Sequence, residues 1–261
     1  MSNPLAYSRK AEQYARYRWD YAPAAIQTIY DLAQIDEHSR IADIGSGTGI
    51  LTKHFVTRAG FVAAIEPDAM MRAWAELTLA GNASFHSIHA NAEHIPLAQS
   101  SINVIIVGQA IHWFNPNLAR AEFQRILKPS GWLAMLWNQP ADQQHSHALA
   151  EICIAENGWS APDADNRPAP VEHSVYYGHE DYQHLVLKVR QEQNWVQFFG
   201  ALCSDSHAPD NDHLAFIRFK TAAQRVFEEY STAGQLVSTY TTTLNIGQIS
   251  EVRRTEDVTR I

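Results

Sequence analysis

Cysteine is scarce in this chain. Cys153 and Cys203 are the only two in 261 residues, they lie far apart without CxxC spacing, and that argues against a disulfide framework and for a reducing compartment. Long apolar runs are lacking as well. No stretch approaches the roughly 20 apolar residues of a membrane-spanning helix, and "MSNPLAYSRKAEQYARYRW" at the start has no apolar signal core, so a soluble cytoplasmic protein is expected. Basic clusters are missing too: charged residues make up 18% with a formal net charge of -8, and Arg253 and Arg254 stand beside Glu251, Glu256 and Asp257. Such a field repels polyanions, so nucleic acid is not an expected partner. The thirteen histidines show no HExxH, and His145 and His147 are spaced to point apart on a helix, so no metal site is expected.

What is present is an alternation of short apolar runs and helical patterns over residues 39 to 138. "RIADIG", "FVAAIEP", "ASFHSIHA", "INVIIVG" and "WLAMLWN" read as strands. "APAAIQTIYDLAQI" reads as a helix before them, and "TGILTKHFVTRAG" as one between the first two strands, ending at Gly60. "NPNLARAEFQRILKPSG" is expected to be helical until Pro129 and Gly131 stop it. Beyond a linker and the Pro-rich "SAPDADNRPAP", "HLVLKVRQ" and "LVSTYTTTLNI" read as strands, with a helix between them predicted from Asp210 to Gly234.

This order predicts an α/β fold. Its centre is a doubly wound, mostly parallel, seven-stranded sheet with an N-terminal helical segment and a partly helical cap in the C-terminal half. Residues 1–138 form the ligand-binding core, and 139–261 form the cap and the last two strands of the same sheet. Ligands on such sheets bind beyond the carboxyl ends of the strands, near the point where strand order reverses.

The loop at that place is "DIGSGTG", with Gly45, Gly47 and Gly49 at every second position after a strand. It lacks the Gly-Lys-Ser/Thr of a phosphate-binding Walker loop, and Gly49 falls one position short of the dinucleotide GxGxxG spacing, which weakens a nicotinamide reading. Asp43, inside an apolar strand, needs a hydrogen-bonding partner, and at the strand tip a carboxylate favours a cation over a pyrophosphate. Glu66 ends the second strand about twenty residues past the first glycine, where an acid can accept from a ribose diol. Asn91, in "NAEHIP", can reach an adenine rim. An acid, a diol acceptor and a purine contact in that order suit an adenosine with a positively charged tail, as in S-adenosylmethionine.

"DIGSGTG", "AIEPDAMM", "NAEHIPL", "GQAIHWF" and "EFQRILKPSGWLAMLWN" together resemble the class I S-adenosylmethionine-dependent methyltransferases, in the small-molecule branch with "HWF" after the fourth strand. The resemblance covers roughly residues 7 to 138 and implies a Rossmann-like methyltransferase fold with S-adenosylmethionine as cofactor. By it, Asp43, Gly45, Ser46, Gly47 and Gly49 surround the methionine part of the cofactor and Glu66 holds the ribose. Pro67 and Met70 pack on the adenine, and Asn91, Ala92 and Glu93 take the place of an Asp-Ala-Glu. Asn91 departs from that pattern, though its side-chain oxygen still accepts a hydrogen bond. Gln109 lies beside the sulfonium, and Arg18 neutralises the cofactor's carboxylate.

The implied reaction is methyl transfer to an O, N or C nucleophile of a small, partly apolar metabolite. His112 is the candidate base, titrating near neutrality unless its surroundings shift it, or else a pocket wall. Trp113, Phe114, Tyr7, Tyr14 and Tyr17 are candidates to line the acceptor pocket. Two alternatives stand beside this reading: a catalytically silent protein that binds the cofactor for regulation or for a partner, and an NAD-dependent oxidoreductase.

Overall fold

The computed structural model describes residues 10–141, 172–205 and 208–250. Tyr7, His145, His147, Cys153, Arg253 and Arg254 lie outside the described residues, as does the Pro-rich segment. In chain order the elements are α1 (Ala11–Tyr17), α2 (Pro23–Ala33), β1 (Arg40–Ile44), β2 (Phe61–Ile65), α3 (Ala69–Leu79), β3 (Phe85–Ile88), β4 (Ile102–Gly108) and α4 (Pro116–Ile126). They continue with β5 (Leu127–Pro140), α5 (Ser174–Tyr177), β6 (Gln183–Gln193), α6 (Trp195–Cys203), α7 (Phe216–Tyr230), β7 (Ser231–Thr232) and β8 (Gln235–Gln248).

The strands form one sheet in the order β3-β2-β1-β4-β5-β8-β6. The first five neighbours are parallel, whereas β8 runs antiparallel between β5 and β6. This is the predicted doubly wound sheet, with the two late strands completing it at one edge. The two-residue β7, not anticipated, is a hairpin partner of β8 closed by Ala233 and Gly234 in left-handed conformations.

Alternation along β1 sorts side chains between two cores. Ile41 packs with Ile29, Phe55, Val62 and Val104 on one face, and Ala42 and Ile44 pack with Ile65, Ile105, Phe123 and Tyr176 on the other. Asp43 shares the face of Ile41. The helices begin where polar caps or proline allow: Asp68 accepts from the amides of Met70 and Met71, Asn115 from that of Leu118 ahead of Pro116, and Asn194 and Gln197 form a capping box.

Three elements differ from expectation. "TGILTKHFVTRAG" contains only a single 3-10 turn, Thr52–His54, rather than an α-helix. Its β-branched residues are weak helix formers, and the Thr52 hydroxyl is committed to Asp43, yet Leu51, Phe55 and Val56 are still buried. The helix α4 stops at Ile126, before Pro129, because a residue preceding proline disfavours helical geometry; the chain then turns directly into a long, bulged β5. The helix expected from Asp210 begins at Phe216.

The N-terminal segment is bound to the sheet through one polar cluster. Asn138 of β5 donates to the carbonyls of Trp19 (3.4 Å) and Asp20 (3.1 Å) and accepts from the Thr242 hydroxyl at 2.6 Å. That hydroxyl oxygen in turn accepts from the amide of Ala22 at 2.9 Å, the Tyr240 hydroxyl donates to the Asp20 carbonyl at 2.8 Å, and Trp19 stacks on Tyr240. Buried groups stripped of partners cost about 1–3 kcal/mol. Asn138→Ala is therefore expected to lower unfolding free energy by about 2 kcal/mol and to raise protease sensitivity near Trp19, as read by denaturant titration and limited proteolysis.

Candidate functional site

The carboxyl ends of β1, β2 and β4 converge on the glycine loop. Gly45, Gly47 and Gly49 have φ of 69°, 55° and 83°, the left-handed region that residues with a Cβ avoid. The reasons differ by position. A Cβ at Gly45 would come within 2.5 Å of Ala110, whereas nothing lies within 4 Å of one at Gly47, where the backbone faces open space. The amides of Gly45 and Ser46 donate to the Ile65 carbonyl, tying the loop to β2.

Asp43 is 0% exposed. One carboxylate oxygen, Oδ2, accepts from the Thr52 hydroxyl at 2.6 Å, and the other, Oδ1, is buried with no partner among the described residues, in a residue that lines the cavity. Burial, reinforced by the nearby charge of Glu66 and opposed by Thr52, pushes its pKa up to about 7. Glu66 accepts the Gly47 amide on Oε2 and the Asp68 amide on Oε1, both at 2.9 Å. Burial also raises the Glu66 carboxyl, against the opposing pull of those two amides. Two acids and a ring of loop amides thus form one end of a cavity of about 1220 Å³.

Aromatic residues line much of the rest. A 3-10 turn, Ile111–Trp113, follows β4 and carries His112. The imidazole lies 4.7 Å from the ring of Trp113 and 5.0 Å, edge to face, from that of Trp137 on β5. Burial pushes its pKa down to about 4, so at neutral pH it is an uncharged imidazole rather than a group titrating near neutrality. Its Nδ1 and the Oε1 of Gln109 are buried without partners. Tyr14 of α1 and Arg18 just after it also line the cavity, and the Arg18 guanidinium lies 3.5 Å from the Asp205 carboxylate beyond α6.

Of the residues singled out by sequence, Arg18, Asp43, Gly45, Ser46, Gly47, Glu66, Pro67 and Gln109 line this cavity, as do Tyr14, His112, Trp113 and Phe114. Others do not. Met70 is 52% exposed on the outer side of α3, and its neighbour Met71 takes the place in the cavity wall. Gly49 faces α3, where a Cβ would meet Leu79 at 2.7 Å, so it serves packing. Tyr17 lies against Gly200 of α6. Asn91 is exposed, Ala92 is buried in the core, and Glu93 accepts from the Asn115 amide at the start of α4; none of the three lines the cavity. Sequence reasoning missed Thr52, Tyr21, Trp137 and Asn138. The last two close the run "WLAMLWN" read as the fifth strand, and that position was signal enough to name them.

The pKa of Asp43 generates a test of sign. A carboxyl raised from 3.8 to about 7 makes folding favour its protonated form. The stability this confers is complete below the unfolded value near 4 and is lost as pH rises through about 7. Asp43→Asn cannot ionise. Its melting temperature, relative to that of the parent protein, is expected to rise between pH 4 and pH 8, so that at pH 8 and without ligand the variant is the more stable. Parallel stability curves would contradict the burial of an uncompensated acid.

Residues 42–135 match the family model described as a methyltransferase domain. An uncharacterized methyltransferase of Mycobacterium tuberculosis is 34% identical over 134 residues, 51% of this chain and 52% of that protein. Another, from Schizosaccharomyces pombe, is 30% identical over 130 residues, 48% and 49% of the two chains. The matched stretch thus spans about half the length of these curated relatives. Among solved structures, a protein of Anaeromyxobacter dehalogenans provisionally named a type II methyltransferase aligns over 90% of this chain and 99% of its own, with TM-score 0.62 and 18% identity. YcgJ of Bacillus subtilis aligns over 88% and 100%, with TM-score 0.53 and 14% identity. Residues 42–135 are thus similar to a methyltransferase domain, and the sheet has the Rossmann-like fold that these solved structures share.

Proposed function

We propose that this chain binds S-adenosylmethionine at the acidic end of the cavity and methylates a small, partly apolar metabolite at the aromatic end. The observation that carries the reading is the unpartnered Oδ1 of Asp43, fully buried at the tip of β1 beside an amide-lined loop. A carboxyl held there at a cost calls for a ligand that is cationic or donates, since such a ligand restores the ionised, accepting form that burial disfavours, and it opposes a pyrophosphate. The donor set fits the cofactor: Asp43, Gly45, Ser46 and Gly47 would take its methionine part, Glu66 its ribose, Pro67 and Met71 its adenine, and Arg18 its carboxylate.

When bound, S-adenosylmethionine supplies a methyl group already activated by a sulfonium leaving group. The protein's own task is then placement and exclusion of water. Phe114, Trp113 and Trp137 wall the acceptor end with apolar surface, and the aromatic faces suit a neighbouring cation. His112, uncharged at neutral pH, can accept a hydrogen bond or a proton from a nucleophile but carries no positive charge into the pocket. The buried acids lower the cost of a cation at the other end.

A ligand that binds only the folded state raises its melting temperature. S-adenosylmethionine and its demethylated product are each expected to do so, with no effect from NAD. Glu66→Ala, which removes an acceptor and frees the Gly47 amide, is expected to weaken cofactor affinity by about 10- to 100-fold in calorimetry. A shift with NAD alone, or none with either sulfur compound, would refute the assignment. Label transfer from the cofactor to metabolites of a cell extract separates an enzyme from a silent binder.

A further inference from the structure

Gln109 carries a backbone conformation uncommon for a residue with a side chain. It follows β4 with φ 56°, in the left-handed region where a residue with a Cβ is strained. Its backbone amide nevertheless donates to the Leu136 carbonyl at 3.0 Å, and its side-chain Nε2 donates to the Asn138 carbonyl at 3.0 Å. An amide oxygen turned to that carbonyl would repel it, so the bond sets the orientation of the group. Gln109 lines the cavity, and its Oε1 is buried without a partner among the described residues. Three residues on, across a single 3-10 turn, Nδ1 of His112 is likewise buried and unpartnered, in a ring packed against Trp113 and Trp137.

Strain and two unmet polar atoms in one wall are costs that a ligand relieves. Gln109 decides the direction of the bond, because Oε1 can only accept, whereas a neutral imidazole can donate or accept according to its tautomer. We propose that Gln109, oriented by Asn138, is a specificity-determining residue that with His112 reads an O–H or N–H on the methyl acceptor. The acceptor class is then an uncharged hydroxyl or amine compound with a flat apolar body set among Trp113, Phe114 and Trp137. A carboxylate or phosphate would bring oxygen against oxygen at Gln109, and an isostere lacking the proton would leave Oε1 unmet. This inference rests on the methyltransferase reading for the word acceptor, but not for the recognition itself.

The test is calorimetric binding to the full chain, with and without S-adenosylhomocysteine, of three probes: 2-naphthol, its donor-free isostere 2-methylnaphthalene, and 2-naphthoate. Expected is at least tenfold tighter binding of 2-naphthol than of either other probe. Gln109→Gly, which accepts the left-handed backbone and removes Oε1, is expected to unfold at a higher denaturant midpoint and to narrow that preference below threefold. His112→Phe is expected to narrow it while keeping S-adenosylhomocysteine affinity within threefold. Equal binding of 2-naphthol and 2-methylnaphthalene, tighter binding of 2-naphthoate, no binding of any probe, or a preference that survives both substitutions would overturn the proposal. Failure of S-adenosylhomocysteine to bind would refute the cofactor assignment instead, and the ligand-free titrations would still decide this one.

Discussion

One carboxylate organises the site. Asp43 stands fully buried at the tip of a central strand, and a single hydroxyl, that of Thr52, satisfies one of its two oxygens. An apolar residue at that position would fit the core better, since a buried acid without a full set of partners costs several kcal/mol. The second acid, Glu66, sits one strand over and spends its oxygens on the amides of Gly47 and Asp68. It thereby holds the loop open and adds negative potential to the same floor. The two acids therefore differ in kind: Glu66 is a scaffold with lone pairs to spare, whereas Asp43 is an unmet acceptor.

The rest of the fold brings other groups to that floor. Strand order places β1 between β2 and β4, so the loops after all three meet at one edge. The antiparallel pair β8 and β6 extends the sheet, and Thr242 and Tyr240 of β8, together with Asn138 of β5, tie down the segment from Trp19 to Ala22. That tether carries α1 over the cavity and sets Arg18 and Tyr14 opposite the glycine loop. Asn138 also offers its backbone carbonyl to Gln109, so one residue of β5 supports both the roof and the wall. The aromatic residues line the same cavity as the two acids, with Phe114 directly against Gly45.

Much of this was legible in the sequence because it depends on local pattern. Five strands, the loop and the two acids follow from apolar runs, glycine spacing and a carboxylate out of place. What was not legible depends on contacts between distant residues. "TGILTKHFVTRAG" has helical spacing, but the hydrogen bond from Thr52 to Asp43 and the left-handed Gly49 hold it as turns. Met70 and Met71 are adjacent, and only the capped start of α3 at Asp68 decides which one turns inward. Asn91 to Glu93 match an expected position along the chain, yet the Glu93 carboxylate is drawn to the Asn115 amide and the segment stays out of the cavity wall. His112 has Trp113 beside it in the sequence, but nothing there marks the packing of the distant Trp137 or the burial that keeps the imidazole neutral.

The central claim is that the free oxygen of Asp43 receives the cationic end of the cofactor. Burial pushes the Asp43 carboxyl up to about 7, so it is partly protonated near neutral pH in the unliganded protein, and a cation beside it would displace that proton. Calorimetry of S-adenosylmethionine binding in buffers of differing ionisation enthalpy counts the protons released. Proton release is expected from the parent near pH 7 and clearly less from Asp43→Asn, in which Glu66 is the remaining raised acid. The same release from both proteins, or none from the parent, would contradict it.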